Sequence, residues 1–215
     1  FLPVRTLILM LALTSLVGAP YGVLLPIVAG RVLRGGPHTL GFLMAASGAG
    51  ALSGALWLAS RRSVLGLGRT VLAVSFAFAA ALGLFAQARS LWQCLPLMVV
   101  MGGCLMLQFA SINTIIQTIV DDEKRGRVMS FYLMAFMGAA PFGSLLAGGL
   151  ASRVGTAETY RLMALACLLG SWWFARRLPA LREAIHPVYR RMGILPPVAR
   201  ALEAAAELSV PPEEA

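Results

Sequence analysis

The sequence predicts an all-α, polytopic membrane protein with six transmembrane helices. The chain of 215 residues is 59% hydrophobic and only 13% charged, whereas a soluble domain usually carries about 25% charged residues. The charges are clustered, and long uncharged runs separate the clusters. A helix of about 20 apolar residues crosses the roughly 30 Å hydrocarbon core of a bilayer. So few charges cannot cover a water-facing surface, and the runs have the length of membrane spans.

The uncharged runs place the helices in order along residues 1–177. The expected spans are approximately 6–30, 39–60, 69–88, 91–119, 128–152 and 159–175. The last span is the weakest because Arg161 lies inside it, although a long arginine side chain can reach the interface. Residues 178–215 are expected to form a proline-rich cytoplasmic tail. This tail either lies on the inner leaflet through its basic first half or is loosely ordered around a short helix near 198–208.

The basic residues predict the orientation of the six spans. Thirteen of the 18 Lys and Arg residues fall on the side that holds both termini, and five fall on the other side. Because basic residues favour the cytoplasmic side, both termini and the segments 60–69 and 120–127 are expected to lie inside a plasma (inner) membrane. The net charge of +9 is thereby explained by topology, and a nucleic-acid partner is not expected.

Small residues indicate where helices approach one another closely, since backbone proximity drives helix association in lipid. The candidates for packing and bending are Gly50, Gly54, Gly138, Pro141 and Gly143. Gly50 and Gly54 share one face at four-residue spacing. Pro141 removes a backbone hydrogen bond and is expected to bend the fifth helix. The same spacing fits both a static bundle and helices that rock against each other.

Polar side chains within the spans are sparse. Tyr21, Gln108, Ser111 and Asn113 are the candidates for a substrate path, because polar groups in a membrane interior tend to face the bundle or a water-filled path. The alternative is interhelical hydrogen bonding, worth about 1 kcal/mol each. All nine acidic residues lie outside the expected spans. No catalytic set, metal-ligand spacing or phosphate loop is visible, so neither an enzyme nor a cofactor or metal site is expected.

The segment 121–127 carries six charges in seven residues between two uncharged runs. It is expected to be a water-facing cytoplasmic loop. Together with the basic pair after the second span it supplies the candidates for a cytoplasmic gate, which are Arg61, Arg62, Asp121, Asp122, Arg125 and Arg127. These charges either close a gate or only fix the threading of the chain.

A weak internal repeat accompanies this pattern. The letters LASR end the second span at 58–61 and the fifth span at 150–153. Each span is the second of three, and the two copies would face opposite sides of the membrane. This arrangement is typical of an inverted three-plus-three repeat.

The run from Val120 to Tyr132, VDDEKRGRVMSFY, followed by the Gly138–Gly143 segment, resembles the major facilitator superfamily of transporters. There, such a loop joins the tenth and eleventh helices. The letters LPI at 25–27, GG at 35–36 and LGFL at 40–43 resemble the passage from the seventh to the eighth helix. RRLPALR at 176–182 resembles the enterobactin-exporter-like branch. The resemblance covers roughly residues 5–177. The sequence differs from the family pattern at residues 60–63, SRRS. The gating signature of the family has an Asp before the arginines, and this chain has none there.

The resemblance implies the C-terminal half of a twelve-helix transporter, which exports a small organic molecule by secondary active, alternating-access transport. A chain that begins at Phe1 without an initiator Met fits that expectation. The implied partners are the lipid bilayer, the missing N-terminal six-helix half and the small-molecule substrate, with protons as a candidate coupling ion. The alternative is a non-transporting integral-membrane scaffold or assembly subunit.

Overall fold

The computed structural model describes residues 2–61 and 63–191, and every regular element in that part of the chain is helical. We number the helices along the chain. They are α1 (Pro3–Val32), α2 (Pro37–Ser60), α3 (Leu67–Phe85), α4 (Leu91–Ile119), α5 (Asp122–Val154) and α6 (Thr156–Arg191). The first five are long and apolar enough to cross a membrane. The prediction of an all-α membrane protein is thus confirmed for the described residues.

Two of the helices are irregular. In α1 the α-helical start, which ends at Leu13, passes into a π turn at Thr14–Gly18 and a 3₁₀ segment at Ala19–Leu24. α1 ends in a second π turn, Val28–Val32, and α5 contains one at Met134–Gly138. Prolines lie within or close to these irregular segments, and a proline has no N–H to offer to the helical ladder. Pro20 and Pro26 lie in α1, and Pro141 follows the π turn of α5.

Short connections join the helices, and glycine permits two of them. Gly66 precedes α3 with φ of 82°, and Gly155 separates α5 from α6 with φ of 87°. Both values lie in the left-handed region, which costs glycine little and other residues more. These two positions therefore allow sharp reversals between neighbouring helices.

The core consists of two apolar clusters at different depths. One is built around Phe78, Met101 and Tyr160, and the other around Leu11, Ile112 and Phe174. Between the two clusters each of α1, α3, α4 and α6 contributes a buried polar residue. A thin polar layer therefore lies between the two apolar clusters.

The helices extend past two of the expected boundaries, and the division into a membrane domain and a tail stays a prediction. The segment 120–127 was expected to be a loop. Most of it is helical instead, because α5 already begins at Asp122. Acidic residues in a first helical turn interact favourably with the positive end of the helix, which explains a helical start made of charges.

The second boundary is that of the tail. The expected division after residue 177 falls inside α6, which continues to Arg191. Leu178, Leu181 and Ile185 are buried in the second cluster, so apolar packing holds this extension as a helix. The short helix expected near 198–208 lies outside the described residues. The sixth span and the inverted repeat remain predictions.

Candidate functional site

The polar layer between the two clusters is the main candidate site. Thr14, Ser75, Gln108 and Ser171 are at most 3% exposed, and all four line one small cavity. Three of them are hydroxyl residues that donate to the carbonyl four residues earlier in their own helix. Such local bonds satisfy a buried hydroxyl without a partner on another helix.

Gln108 makes the hydrogen bond that crosses between helices in this layer. Its Nε2 donates to Thr14 Oγ1 at 2.6 Å, and the Thr14 hydroxyl in turn donates to the Met10 carbonyl at 3.0 Å. The bond joins α4 to α1 at the first residue of the α1 π turn. Gln108 is 1% exposed, so in this conformation its amide serves as an interhelical contact.

Ser111 lies one turn further along α4 and is fully buried. Within the described part of the chain its Oγ has no hydrogen-bond partner. A buried hydroxyl that is left unpaired costs about 1–3 kcal/mol. Ser111 is thus the candidate whose polar atom is unsatisfied in this conformation.

Tyr21 and Asn113 occupy other places. Tyr21 is buried, and its hydroxyl forms a 2.9 Å hydrogen bond with Ser47 Oγ of α2. The Tyr160 hydroxyl of α6 donates to the Tyr21 carbonyl at 2.9 Å. Asn113 is half-buried and accepts a hydrogen bond from Gln117 one turn away. Of the four expected substrate-path residues, three therefore have separate partners, and the Ser111 hydroxyl has none among the described residues.

The two irregular helices contact each other at their irregular segments. The Ser15 hydroxyl donates to the Phe136 carbonyl in the π turn of α5. Gly143 packs against Leu16, where an added Cβ would overlap the carbonyl oxygen and lie 2.7 Å from Pro20 Cγ. Because Pro20 lacks the N–H that would bond to the Leu16 carbonyl in an α-helix, that oxygen is free to face α5. The prolines therefore open the backbone where the neighbouring helix approaches.

A second close approach joins α2 to α4. A Cβ added at Gly50 would overlap the Val99 carbonyl, and one added at Gly102 would overlap the Ser47 carbonyl. One added at Gly54 would lie 2.9 Å from the Gly103 oxygen. Gly138 differs, because a Cβ there would meet nothing closer than Met134 Cγ at 3.7 Å. The small-residue pattern thus marks a real crossing at α2, whereas Gly138 lies outside any close approach.

The charged start of α5 contains an exposed ion pair. Arg125 bonds to Asp122 at 2.6 Å between side chains that are 43% and 85% exposed. The Arg125 Nε is buried, and among the described residues it has no partner. Asp121 and Arg127 are exposed. Surface pairs of this kind contribute about 0–1 kcal/mol, so the pair adds little to stability.

Arg61 is held close to the end of α2. Its guanidinium lies 5.0 Å from the centre of the Trp57 ring. It donates to the Thr70 hydroxyl at 3.0 Å and to the Leu65 carbonyl at 3.2 Å. These contacts join the ends of α2 and α3. Arg62, the other basic candidate in this segment, lies outside the described residues.

Sequence reasoning missed the hydroxyls of Thr14, Ser75 and Ser171. Each is a single small polar residue in an apolar run, which is common in membrane helices. Only the alignment of four helices brings them to one level. The described residues contain no group of three or more His, Cys, Asp or Glu side chains that could hold a metal ion.

This fold and these contacts define a multi-pass membrane protein of helical-bundle type. A family model described as transmembrane secretion effector matches residues 3–204. The chain therefore belongs to the transmembrane secretion effector family of the major facilitator superfamily, which makes it a membrane transporter by class. The expected superfamily is confirmed. Among curated proteins and among solved structures, no match was found.

The bond between Gln108 and Thr14 can be tested by a double-mutant cycle. Thr14→Val should lower the free energy of unfolding by about 1–2 kcal/mol, because it leaves the Gln108 amide buried without its acceptor. Thr14→Val combined with Gln108→Leu should cost less than the sum of the two single changes, with a coupling energy of about 0.6–1.7 kcal/mol. Unfolding in mixed detergent and dodecyl sulfate measures these values.

The matched control for this cycle is Ser53→Ala. The Ser53 hydroxyl also bonds to its own helix, at Ala49, but it is exposed. Its removal should change stability by less than about 0.5 kcal/mol. Fully additive costs for Thr14 and Gln108 would show that the two side chains are not coupled.

Proposed function

We propose that the chain is the C-terminal six-helix half of a secondary transporter that exports a small organic molecule by alternating access. The observation that carries the proposal is the contact between the two irregular helices. Thr14–Gly18 of α1 and Met134–Gly138 of α5 are both π turns, and Ser15 and Gly143 join the segments around them. Interrupted helices inside a membrane are tolerated where they line a cavity or pack on protein, and transporters use them at their sites.

The sixth span of this proposal is the first part of α6. Its one internal charge, Arg161, is paired with Glu158 at 2.5 Å, and both side chains are 52% exposed. The pair belongs to the first two turns of the helix, so these charges would lie at the interface and leave the apolar part of α6 to cross the bilayer. Six spans place both termini of this chain on the cytoplasmic side of the plasma (inner) membrane, as the distribution of Lys and Arg favours.

The partner in this proposal is a second six-helix half. In the most apolar stretch of 18 residues, only 17% of the residues of α2 and 11% of those of α5 are buried, whereas 50% are buried in α1. These two helices also carry large exposed apolar side chains, among them Phe42, Leu56, Phe142 and Leu145. The bilayer would cover part of this surface and the N-terminal half the remainder.

The substrate path of the proposal uses Tyr21, Gln108, Ser111 and Asn113. Ser111 is favoured most, because its buried hydroxyl has no partner among the described residues. A movement at α1 would break the Gln108–Thr14 bond and open the polar layer. Protons are the proposed coupling ion. The acidic residues of α5 and α6 are confined to their first turns and to Glu183 near the end of α6, so a coupling carboxylate would be supplied by the other half.

The transport proposal is tested in everted vesicles from cells that make the full-length protein. The vesicles are incubated with a small-molecule extract of those cells, and the accumulated compounds are identified by mass spectrometry. At least one compound should accumulate only in vesicles that contain the protein, and a protonophore should abolish its accumulation. If the compounds taken up match those of protein-free vesicles, the chain is not an exporter of cellular small molecules.

The gate role proposed for the start of α5 makes a separate prediction. Arg125→Ala should leave insertion and stability unchanged, since its pair with Asp122 is exposed, yet it should lower the transport rate at least about tenfold if the buried Nε takes a partner in another conformation. Lys124→Ala in the same turn is the control and should transport normally. Equal rates for the two variants would assign these charges to threading alone.

A further inference from the structure

A cavity of about 380 Å³ lies where the ends of α1 and α3 meet the beginning of α6. Its apolar lining includes Val28, Phe85 and Tyr160, and the last two rings pack edge to face with centroids 5.3 Å apart. Its polar lining includes three arginines, Arg31, Arg34 and Arg89. This volume is sufficient for a group of several heavy atoms.

The three arginines have no counter-charge in the described part of the chain. None of their guanidinium groups takes part in a hydrogen bond or an ion pair there, and no acidic residue lines the cavity. Glu158, an acid of the adjoining helical turn, is already paired with Arg161. All three arginines are exposed, so water screens part of their mutual repulsion, and a bound anion would offset the remainder.

The ends of α1 and α3 offset only part of the positive charge, because a helix C-terminus carries about half a negative charge and no acidic side chain is added there. The carbonyls at the end of α3 are used by backbone N–H groups, with Ala86 bonding to Leu82 and Ala88 to Phe85. At the end of α1, Leu33 bonds in the same way to Val28. The third helix presents its beginning, because Thr156 and Ala157 line the cavity at the start of α6. The beginning of a helix carries partial positive charge, so the start of α6 also favours a bound anion.

The backbone of Arg34 adds a further observation. Its φ is 51°, and among the described residues it is the non-glycine residue with a positive φ. Glycine would adopt this conformation with less strain. The chain thus places a basic side chain at the rim of the cavity in a position where a glycine would be less costly.

We propose that this cavity binds one oxyanion group, a phosphate or carboxylate, through Arg31, Arg34 and Arg89. Planar guanidinium groups hold such oxygens through paired hydrogen bonds. On the proposed orientation the cavity opens to the outer face, where basic residues are otherwise disfavoured. The oxyanion is either the headgroup of an anionic phospholipid or a free anion from solution. The site shares no lining residue with the polar layer.

The test uses the full-length protein in nanodiscs and reads the melting temperature at constant ionic strength. In the first arm phosphatidylglycerol is added to phosphatidylcholine. In the second arm nanodiscs of phosphatidylcholine alone are titrated with inorganic phosphate against sodium chloride. Saturating oxyanion should raise Tm by about 5 °C. A response to phosphatidylglycerol alone assigns the site to a lipid headgroup, a response to phosphate alone assigns it to a free anion, and a response to both supports an oxyanion site open to either source.

The test variant is Arg31→Gln combined with Arg89→Gln, which should weaken oxyanion binding at least about tenfold. The matched control is Arg153→Gln, compared with Arg89→Gln alone, because a change at Arg161 would free the Glu158 carboxylate beside the cavity. It removes the same charge as Arg89→Gln from the same proposed side but outside the cavity. Absence of a Tm response in both arms, or equal losses in these two single variants, would overturn the proposal.

Native mass spectrometry of the unmodified protein keeps the proposal testable if the cavity variant does not fold. The protein should retain one phosphatidylglycerol or one phosphate in preference to phosphatidylcholine and chloride. Unsaturable or nonselective retention would count against the site.

Discussion

Replacing Gly143 with alanine is expected to lower the free energy of unfolding by about 2 kcal/mol and to reduce transport. Alanine favours a helix over glycine by about 1 kcal/mol, so any loss must come from packing. The added methyl group would overlap the Leu16 carbonyl oxygen and lie 2.7 Å from Pro20 Cγ. Both are parts of the α1 backbone or of a rigid ring, so neither can rotate away. Overpacking of this kind costs about 1–3 kcal/mol or more.

Gly148→Ala on the same helix is the matched control. Nothing lies within 4 Å of a Cβ at that position, so stability should stay the same or rise slightly. Unfolding in mixed detergent and dodecyl sulfate compares the two variants, and the vesicle assay compares their transport. Equal stability of the Gly143 and Gly148 variants would show that α1 and α5 do not approach closely at this point. If the Gly143 variant is destabilised but transports normally, the contact between α1 and α5 stabilises the fold and is not required for the proposed movement.

The fold class was predictable because hydrophobicity and charge act over the whole chain. Long uncharged runs must leave water, and in a bilayer their backbones must form hydrogen bonds within one segment. The ends of the helices were less predictable. Residues 122–127 were predicted to form a loop because charges prefer water. A helix that begins at the membrane surface, however, carries charges in its first turns equally well. Leu178, Leu181 and Ile185 recur at helical spacing, but the prolines and charges around them obscured that pattern.

The close approaches were predictable in part. Gly50 was a candidate from small-residue spacing and Gly143 from the glycines and proline of the fifth span, and an added Cβ at either would meet a neighbouring backbone. Gly138 was included for the same reason and touches none. Spacing describes one face of one helix, whereas a contact depends on the rotation of two helices. The polar layer was hidden for the same reason, since Thr14 and Ser171 become neighbours of Gln108 only through the packing of three separate helices.

The crossing of α2 and α4 should respond to glycine substitution in a way that is not additive. Gly50→Ala and Gly102→Ala are each expected to cost about 2 kcal/mol, because each methyl group would overlap a carbonyl oxygen of the facing helix. The overlaps fall on opposite sides of one interface, with Val99 in one case and Ser47 in the other. Separating the two helices relieves both at once. The double variant should therefore cost clearly less than the sum of the single variants.

Gly48→Ala supplies the baseline on α2, since nothing lies within 4 Å of a Cβ at that position. The stability of this variant should equal or slightly exceed that of the parent. A loss as large as that of Gly50→Ala would mean that α2 is destabilised by alanine regardless of the contact with α4. Full additivity of Gly50→Ala and Gly102→Ala would mean that each clash is absorbed locally. Ser47 also bonds to the Tyr21 hydroxyl at 2.9 Å, so a separation of α2 from α4 that carries Ser47 away should break this bond to α1. Adding Ser47→Ala to the double variant should then cost less than Ser47→Ala alone, because the bond that it removes is already lost.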